Sequence, residues 1–585
     1  MSSKFKTPRG GKPTATSINT SQRNSCEVVI YRFDQSDIMK LEKLNVASDK
    51  GLAGAGSAGT KENFTPRGRM TIRNDIIRCS ITKNKGSSSG TFSLTLKRGK
   101  RVRNGVVQPE DIDYLDAINA GDWILIYMKK SGQTNTTSIK DDSGLKFMGV
   151  IENVRYVEVD QPDKGSPRLE YVVTGRDFGK VFENEVFFNP VLNDQTIQTI
   201  LGAKFLTDST KSVRGDNRAV TTNFTPDKVI KNLVSFYLGG AVDSLNVTHQ
   251  LWYVPADLAR SFRPQVRVKS GGVSFVDILD TSKIGLHQYD RNNKFRSVNP
   301  LPGAALIKAL PASGSVWAIL QFMQNAAVNE MYTELVRDSR GNLQPTLVMR
   351  QFPFSNYNTA ETNSFKANSR LPSSGGKGTV LSDNISDSEK TYFVTLPQTT
   401  IVSSDIKQKN VGKSDHERIN HAIIVPKIDD KTNDILYSVA YNVPSIQRYG
   451  LRSIQTQSSY VLRKGEGIKK TLDRYLNLLI DWFFLAHNLF NGTIITDGRD
   501  EHVEIGTNLY ITDVKQLYHI EGYTHNYELR ADGKTMYTTE FRVSRGQVWD
   551  QQRRKSNFIG PSTARKEPTT ITSSSLEGFR NGGRR

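Results

Sequence analysis

Apolar and polar residues alternate with a period of two over much of the chain, and the clearest run covers residues 494–546. Within it, residues 518–529 and 535–544 read as two strands flanking Ala531-Asp532-Gly533, because such alternation marks strands that bury one face. The pattern also selects the hairpin register. A two-residue Asp-Gly loop would set Tyr523, His525, Tyr527 and Leu529 beside Met536, Thr538, Glu540 and Arg542, mixing apolar with charged. A three-residue loop, with Gly533 supplying the positive φ, sets them beside Tyr537, Thr539, Phe541 and Val543. The bulged loop is predicted, since a one-residue slip moves every side chain to the wrong face.

A weaker copy of this pattern occurs earlier. Residues 121–130, 147–160 and 167–178 (GDWILIYMKK, FMGVIENVRYVEVD, PRLEYVVTGRDF) repeat the order GTNLYIT, LYHIEGYTHNYEL, TMYTTEFRVSRG. Gly121 matches Gly506, and Ile151-Glu152 matches Ile520-Glu521, with Gly175, Gly533 and Gly546 as further landmarks. Gly121 stands 30 residues before Ile151 and Gly506 14 before Ile520; the difference of 16 fits the polar loop 131–144, since surface insertions add little closure entropy. The repeat predicts two similar antiparallel barrels in one polypeptide.

Elsewhere, strands are expected at 26–34, 76–83 and 91–97, a short helix at 110–119, and a helix beginning at Thr225-Pro226. Val316, Ile319, Leu320, Met323 and Ala327 recur at helical spacing, and residues 329–354 read as a hairpin turning at 338–342. Residues 392–406 and 417–427 are expected as strands of the second barrel. The best helix lies at 467–488, with Leu472, Tyr475, Leu479, Trp482, Phe483 and Ala486 on one stripe. The fold class is mainly β with α insertions (α+β). It divides into a flexible basic N-terminal arm (1–25), a first barrel (26–190), an inserted connecting or docking domain (191–314), a helix plus hairpin (315–378), a second barrel containing the 467–488 helix (379–546) and a basic tail (547–585).

Composition narrows the function. A length of 585 residues is enough for several domains. Two cysteines, Cys26 and Cys79, make neither a disulfide framework nor a metal set. The first 24 residues have no apolar core and so do not read as a secretory signal; the most apolar run, 476–490, is broken by Asp481 and His487 and does not read as a span. The net charge of +20 concentrates in both termini and in 96–103 (LKRGKRVR), without helix–turn–helix or zinc-finger spacing. Solvated arms or a contact with an acidic partner are the expected roles.

Several motifs approach catalytic or cofactor patterns and miss. Gly54, Gly56 and Gly59 have dinucleotide-fingerprint spacing without the flanking strand and helix, and read as a flexible loop. Gly412-Lys413-Ser414 ends like a phosphate-binding loop, but Lys407 stands where its first glycine would be. His519 and His525 share a strand face roughly 20 Å apart, too far for one metal. Asp500, Glu501, His502 and Glu504 read as a solvated turn. No catalytic, cofactor or metal site is expected, nor an enzyme.

The order of later segments resembles the central baseplate hub of contractile-tailed bacteriophages. It is carried by SVWAILQFMQNAAVNEMY and GNLQPTLVMRQFPF (315–354), SDIKQKNVGKSDHERINHAIIVP (404–426), SIQRYGLRSIQ (445–455) and the terminal IEGYTHNY and TTEFRVSRG. The resemblance covers 315–546; the basic tails and residues 193–314 have no counterpart in it. It implies two tail-tube-like barrels per chain and a homotrimer whose six units form a pseudo-sixfold ring. Such a ring would join a hexameric tube or tube initiator to a trimeric spike within the virion baseplate, with other baseplate proteins around it. DNA would be a transient passenger, assembly would take place in the host cytoplasm, and no stable membrane insertion is implied. Trp482, Phe483, Arg448 and Tyr449 are candidate interface residues. The alternatives are a basic β-rich virion protein binding nucleic acid or glycan, and a tail-associated cell-wall hydrolase.

Overall fold

The computed structural model describes residues 24–31, 69–103, 106–130, 132–159, 168–183, 185–187, short stretches between 230 and 297, 313–324, 329–353, 396–428, 438–462, 483, 486–530, 533–550, 555–557 and 570–572. Expectations for the N-terminal arm before 24, the glycine loop 54–59, most of the 467–488 helix with Trp482, and most of the tail after 550 lie outside the described residues.

The chain is mainly β, and half of its described strands join one sheet of fourteen. They are β1 (Ser25–Tyr31), β2 (Arg69–Ile72), β3 (Ile76–Asn84), β4 (Thr91–Lys97), β5 (Trp123–Lys129), β6 (Leu145–Val159) and β7 (Arg168–Asp177). After a separate hairpin, β8 (Asn329–Arg337) and β9 (Leu343–Gln351), come β10 (Gln398–Ile401), β11 (Ile406–Gly412), β12 (Phe490–Asp497), β13 (Asn508–Ile511), β14 (Gln516–Leu529), β15 (Thr535–Asp550) and β16 (Lys555–Asn557). Neighbours across the sheet run β11, β12, β15, β14, β3, β4, β7, β6, β5, β1, β2; β13 and then β10 extend from β14, and β16 pairs β15.

Residues 417–427 do not follow expectation. His421–Ile428 pairs with Ser453–Leu462 and Ser438–Asn442 in a separate four-stranded sheet completed by Thr570–Thr572. Alternation identifies a strand but not its partner; within the large sheet it is β11 that pairs with β12.

The unbroken apolar run of β5 is buried on both faces, as a strand between two cores must be. Trp123, Leu125 and Tyr127 enter one core with Phe275, Val316, Ile319 and Leu320. Ile124, Ile126 and Met128 enter the other, which runs through both halves of the sheet and includes Ile81, Leu94, Ile494, Ile520 and Phe541. The β8–β9 hairpin lies between the two: Met331, Leu335 and Leu347 belong to the first core, Tyr332, Val336 and Val348 to the second. Among the described residues no helix is long and apolar enough to cross a membrane.

Candidate functional site: the seam between two repeated units

Two five-strand units make up most of the sheet: β3–β7, and β11–β15. In each, chain order and pairing coincide: first strand on second, second on fifth, fifth on fourth, fourth on third. Two of the register irregularities coincide as well. Register shifts fall between Ile76 and Arg78 in β3 and between Ile406 and Gln408 in β11. They fall between Ile151 and Asn153 in β6 and between Ile520 and Gly522 in β14, leaving Glu152 and Glu521 as the extra residues. Two sheets alike only in alternation would not share bulges, because each bulge is a local insertion.

Backbone bonds repeat with them. Gly121 N donates to the Ile151 carbonyl at 2.7 Å and Ile151 N to Asp122 at 2.9 Å; Gly506 N donates to Ile520 at 2.8 Å and Ile520 N to Thr507 at 2.9 Å. Both glycines have positive φ, +93° and +73°, the region in which a side chain is costly. Gly175 pairs with Ile151, whereas its counterpart opposite Ile520 is Val543, so Gly175 and Gly546 are not equivalent. The exchange is compensated: Phe92 lies beside Gly175, and Gly492 beside Val543. Gly546 instead packs on Tyr518 and Phe490.

Gly533, at φ +76°, closes the three-residue loop, and Tyr523, His525 and Tyr527 face Phe541, Thr539 and Tyr537 in the expected register. Phe483 is half-buried, with its ring 6.4 Å from that of Phe352. Arg448 and Tyr449 end the helix Val443–Tyr449 on the surface, where the Arg418 guanidinium stacks 3.8 Å from the Tyr449 ring.

The units meet where residues 522–528 of β14 pair antiparallel with 78–84 of β3. One face of this seam is buried, with Cys79, Ile81, Tyr523 and Tyr527 beside Lys83 and His525, and the other carries matched polar pairs. Ser80 donates to Asn526 at 2.8 Å, the Thr82 and Thr524 hydroxyls lie 3.2 Å apart, and Arg78 reaches Glu528 at 3.0 Å. His525 is fully buried beside Thr539, and burial pushes its pKa well down, as it does for His519. Both imidazoles are therefore neutral hydrogen-bonding groups. Burial raises the Glu521 carboxyl, but Lys85 and the Ser544 hydroxyl outweigh it and leave its pKa lowered.

The hairpin locks this seam from behind, a role the sequence reading missed. Its residues 329–336 are all buried, including Asn329, Glu330, Thr333 and Glu334. Glu330 holds Lys85 of the first unit and, at 2.6 Å, Arg350, whose other end donates to the Gly506 carbonyl of the second. Thr333 accepts from Lys83 at 2.8 Å and donates to the Ser88 carbonyl at 2.7 Å. Glu334 lies 3.3 Å from His502 and accepts from Tyr523 at 3.4 Å. Arg337 spans Asp141 of the first unit at 3.1 Å and Glu504 of the second. Its signal was legible: once the turn is placed at 338–342, Glu330 stands directly opposite Arg350.

The acidic loop is accordingly no solvated turn. His502 is fully buried and Glu504 nearly so, with burial raising the Glu504 pKa. The carbonyls of Asp500 and Glu501 accept from buried Lys146 at 2.7 and 2.6 Å. Burial lowers the Lys146 pKa to about 7 despite the carboxylates nearby. The residues that appeared exposed by composition are covered by a strand pair far away in sequence. Gly412 ends β11, and the Lys413 ammonium sits 5.0 Å over the Phe490 ring.

No family model and no curated protein matches this chain. Among solved structures it is similar to a tail protein from Neisseria meningitidis (13% identity, TM-score 0.36, 81% of this chain and 93% of that one). It is also similar to the 43 kDa tail protein of prophage MuSo2 from Shewanella oneidensis (12%, 0.35, 81% and 96%). A third likeness is to a chain of the Francisella PdpA–VgrG complex (9%, 0.34, 90% of this chain), of which it spans 59%.

Proposed function

We propose that this chain is a structural hub of a phage contractile-tail baseplate. Three copies, each contributing two tube-like units, form a pseudo-sixfold ring between a hexameric tail tube and a trimeric central spike, around a channel that DNA crosses in transit. The observation that carries this reading is the repeat: two units with the same strand order, two shared bulges and the same pair of backbone bonds lie side by side in one continuous sheet. A ring of six similar units presents near-sixfold symmetry on one side, while the differences between the units leave threefold symmetry on the other. Its work is mechanical linkage, so the reading assigns no catalytic residues, and the buried ion pairs of the seam serve rigidity.

The test is electron microscopy of purified protein mixed with the cognate tail-tube protein. Rings of three chains capping hexameric tubes are expected, with association persisting in high salt, because an interface built on strand pairing and apolar burial depends little on counterions. Binding to DNA or glycan that weakens steeply with salt, with no ring or tube cap, would overturn it.

A further inference from the structure

The seam inside the chain is a template for a contact between chains. β14 pairs β13 along residues 516–519 and β3 along 522–528 on the same edge. Its counterpart β6 pairs β5 along 145–150, but from 153 to 159 it pairs with β7 alone among the described residues. The counterpart of β3 is β11, which ends the sheet and among the described residues pairs only with β12. Among the described residues each chain thus has an unfilled acceptor edge and an unfilled donor strand that match the two halves of a contact it already makes once internally.

We propose that β11 of a second copy of this chain adds antiparallel to the 153–159 edge of β6, in the register that β3 takes on β14. The common bulges carry that register across. Position 522 corresponds to 153 and position 80 to 410, so the internal pair Asn526–Ser80 becomes Val157 opposite Asn410 of the second copy. Tyr156 then faces Val411, and Glu158 faces Lys409.

Three observations support this occupant. Tyr156 and Val157 are 56% and 38% exposed, among the few large apolar side chains left open, while His525, the counterpart of Tyr156, is fully buried under β3. The register sets Tyr156 against Val411, an apolar cross-strand pair of a kind that favours strand association. The lysines of β11, which on a free edge would discourage pairing, are turned onto their own unit. Lys407 holds Asp497 at 2.6 Å, and Lys409 donates to Gln516 and lies 5.4 Å over the Tyr518 ring. Donor and acceptor edges differ, so the contact is head-to-tail and generates a ring when its rotation closes. The inference deepens the hub reading and rests on it only for the number of copies.

Oxidative crosslinking of the full chain tests it. Val157→Cys with Asn410→Cys, and Tyr156→Cys with Val411→Cys, are expected to link chains on oxidation, at least one of the two pairs efficiently. Val157→Cys with Val411→Cys, one position off register and on opposite faces, is expected to stay unlinked. The native cysteines are both buried and give little background. A chain that remains monomeric at every concentration, an oligomer in which neither in-register pair links, or equal linking by the off-register pair overturns the proposal. In-register linking without binding to tube protein would sink the hub reading alone. Threefold caps on tubes without in-register linking would sink this pairing alone.

Discussion

Replacing Arg350 by methionine removes the group on which both repeated units converge. Its side chain is 6% exposed and that of Glu330 3%, so the substitution strands a buried carboxylate. Breaking a buried pair from one side costs about 3–5 kcal/mol; Lys85 still faces Glu330, which places the cost near the lower end. The Gly506 carbonyl also loses its donor, adding about 1–2 kcal/mol. The total is about 4–5 kcal/mol, or roughly a thousandfold or more in local opening. Native-state hydrogen exchange reads it at two amides on either side of the hairpin: Lys85, which donates to Glu521, and Gly506, which donates to Ile520. Both should speed up together. Adding Glu330→Gln in the same chain should recover about 2 kcal/mol, since a neutral amide is cheaper to bury than a carboxylate that has lost one of its cations. Faster exchange confined to β9, or a Glu330→Gln loss that simply adds to the first, would refute the clamp.

Further outcomes follow from the same structure. Lys146, with a folded pKa of about 7 against 10.5 unfolded, holds fewer protons folded than unfolded between those values. The wild type should therefore gain up to about 1.4 kcal/mol per pH unit over Lys146→Met as pH rises through that window; parallel thermal-unfolding profiles from pH 6 to 9 would contradict it. Gly175→Ala puts a methyl 2.1 Å from the Val150 carbonyl and 2.7 Å from the Phe92 ring, for a loss of about 3 kcal/mol. Gly533→Ala meets nothing within 4 Å and should lose only about 1 kcal/mol, for its positive φ; equal melting temperatures would count against both accounts. The Cys26 thiol, raised by burial and by Cys79 beside it, should resist alkylation until denaturant is added, and rapid labelling of the native chain would show the core to be open.

Period-two alternation and turn chemistry were enough to find the long strands of the two repeats, the 531–533 loop and its register, and the likeness of 121–178 to 506–546, because these depend on side-chain direction and on residues close in sequence; they missed short strands such as Val106–Ile112, which overlaps the helix expected at 110–119. Partnership was not readable in that way. Nothing in the alternation of residues 417–427 says that they leave the large sheet, or that β3 joins β14 across more than four hundred residues. Burial of charge was least legible of all. Glu330, Glu334, His502 and Lys146 look like surface residues one at a time, and only the fold brings each buried group its opposite charge or carbonyl, which is the condition under which such groups can leave water. The sequence by itself determined which long segments become strands and that two sets of them are alike. Tertiary structure alone decided that the sets share one sheet and a charged hairpin behind it, because strand pairing is chosen by complementary edges, which no local pattern encodes.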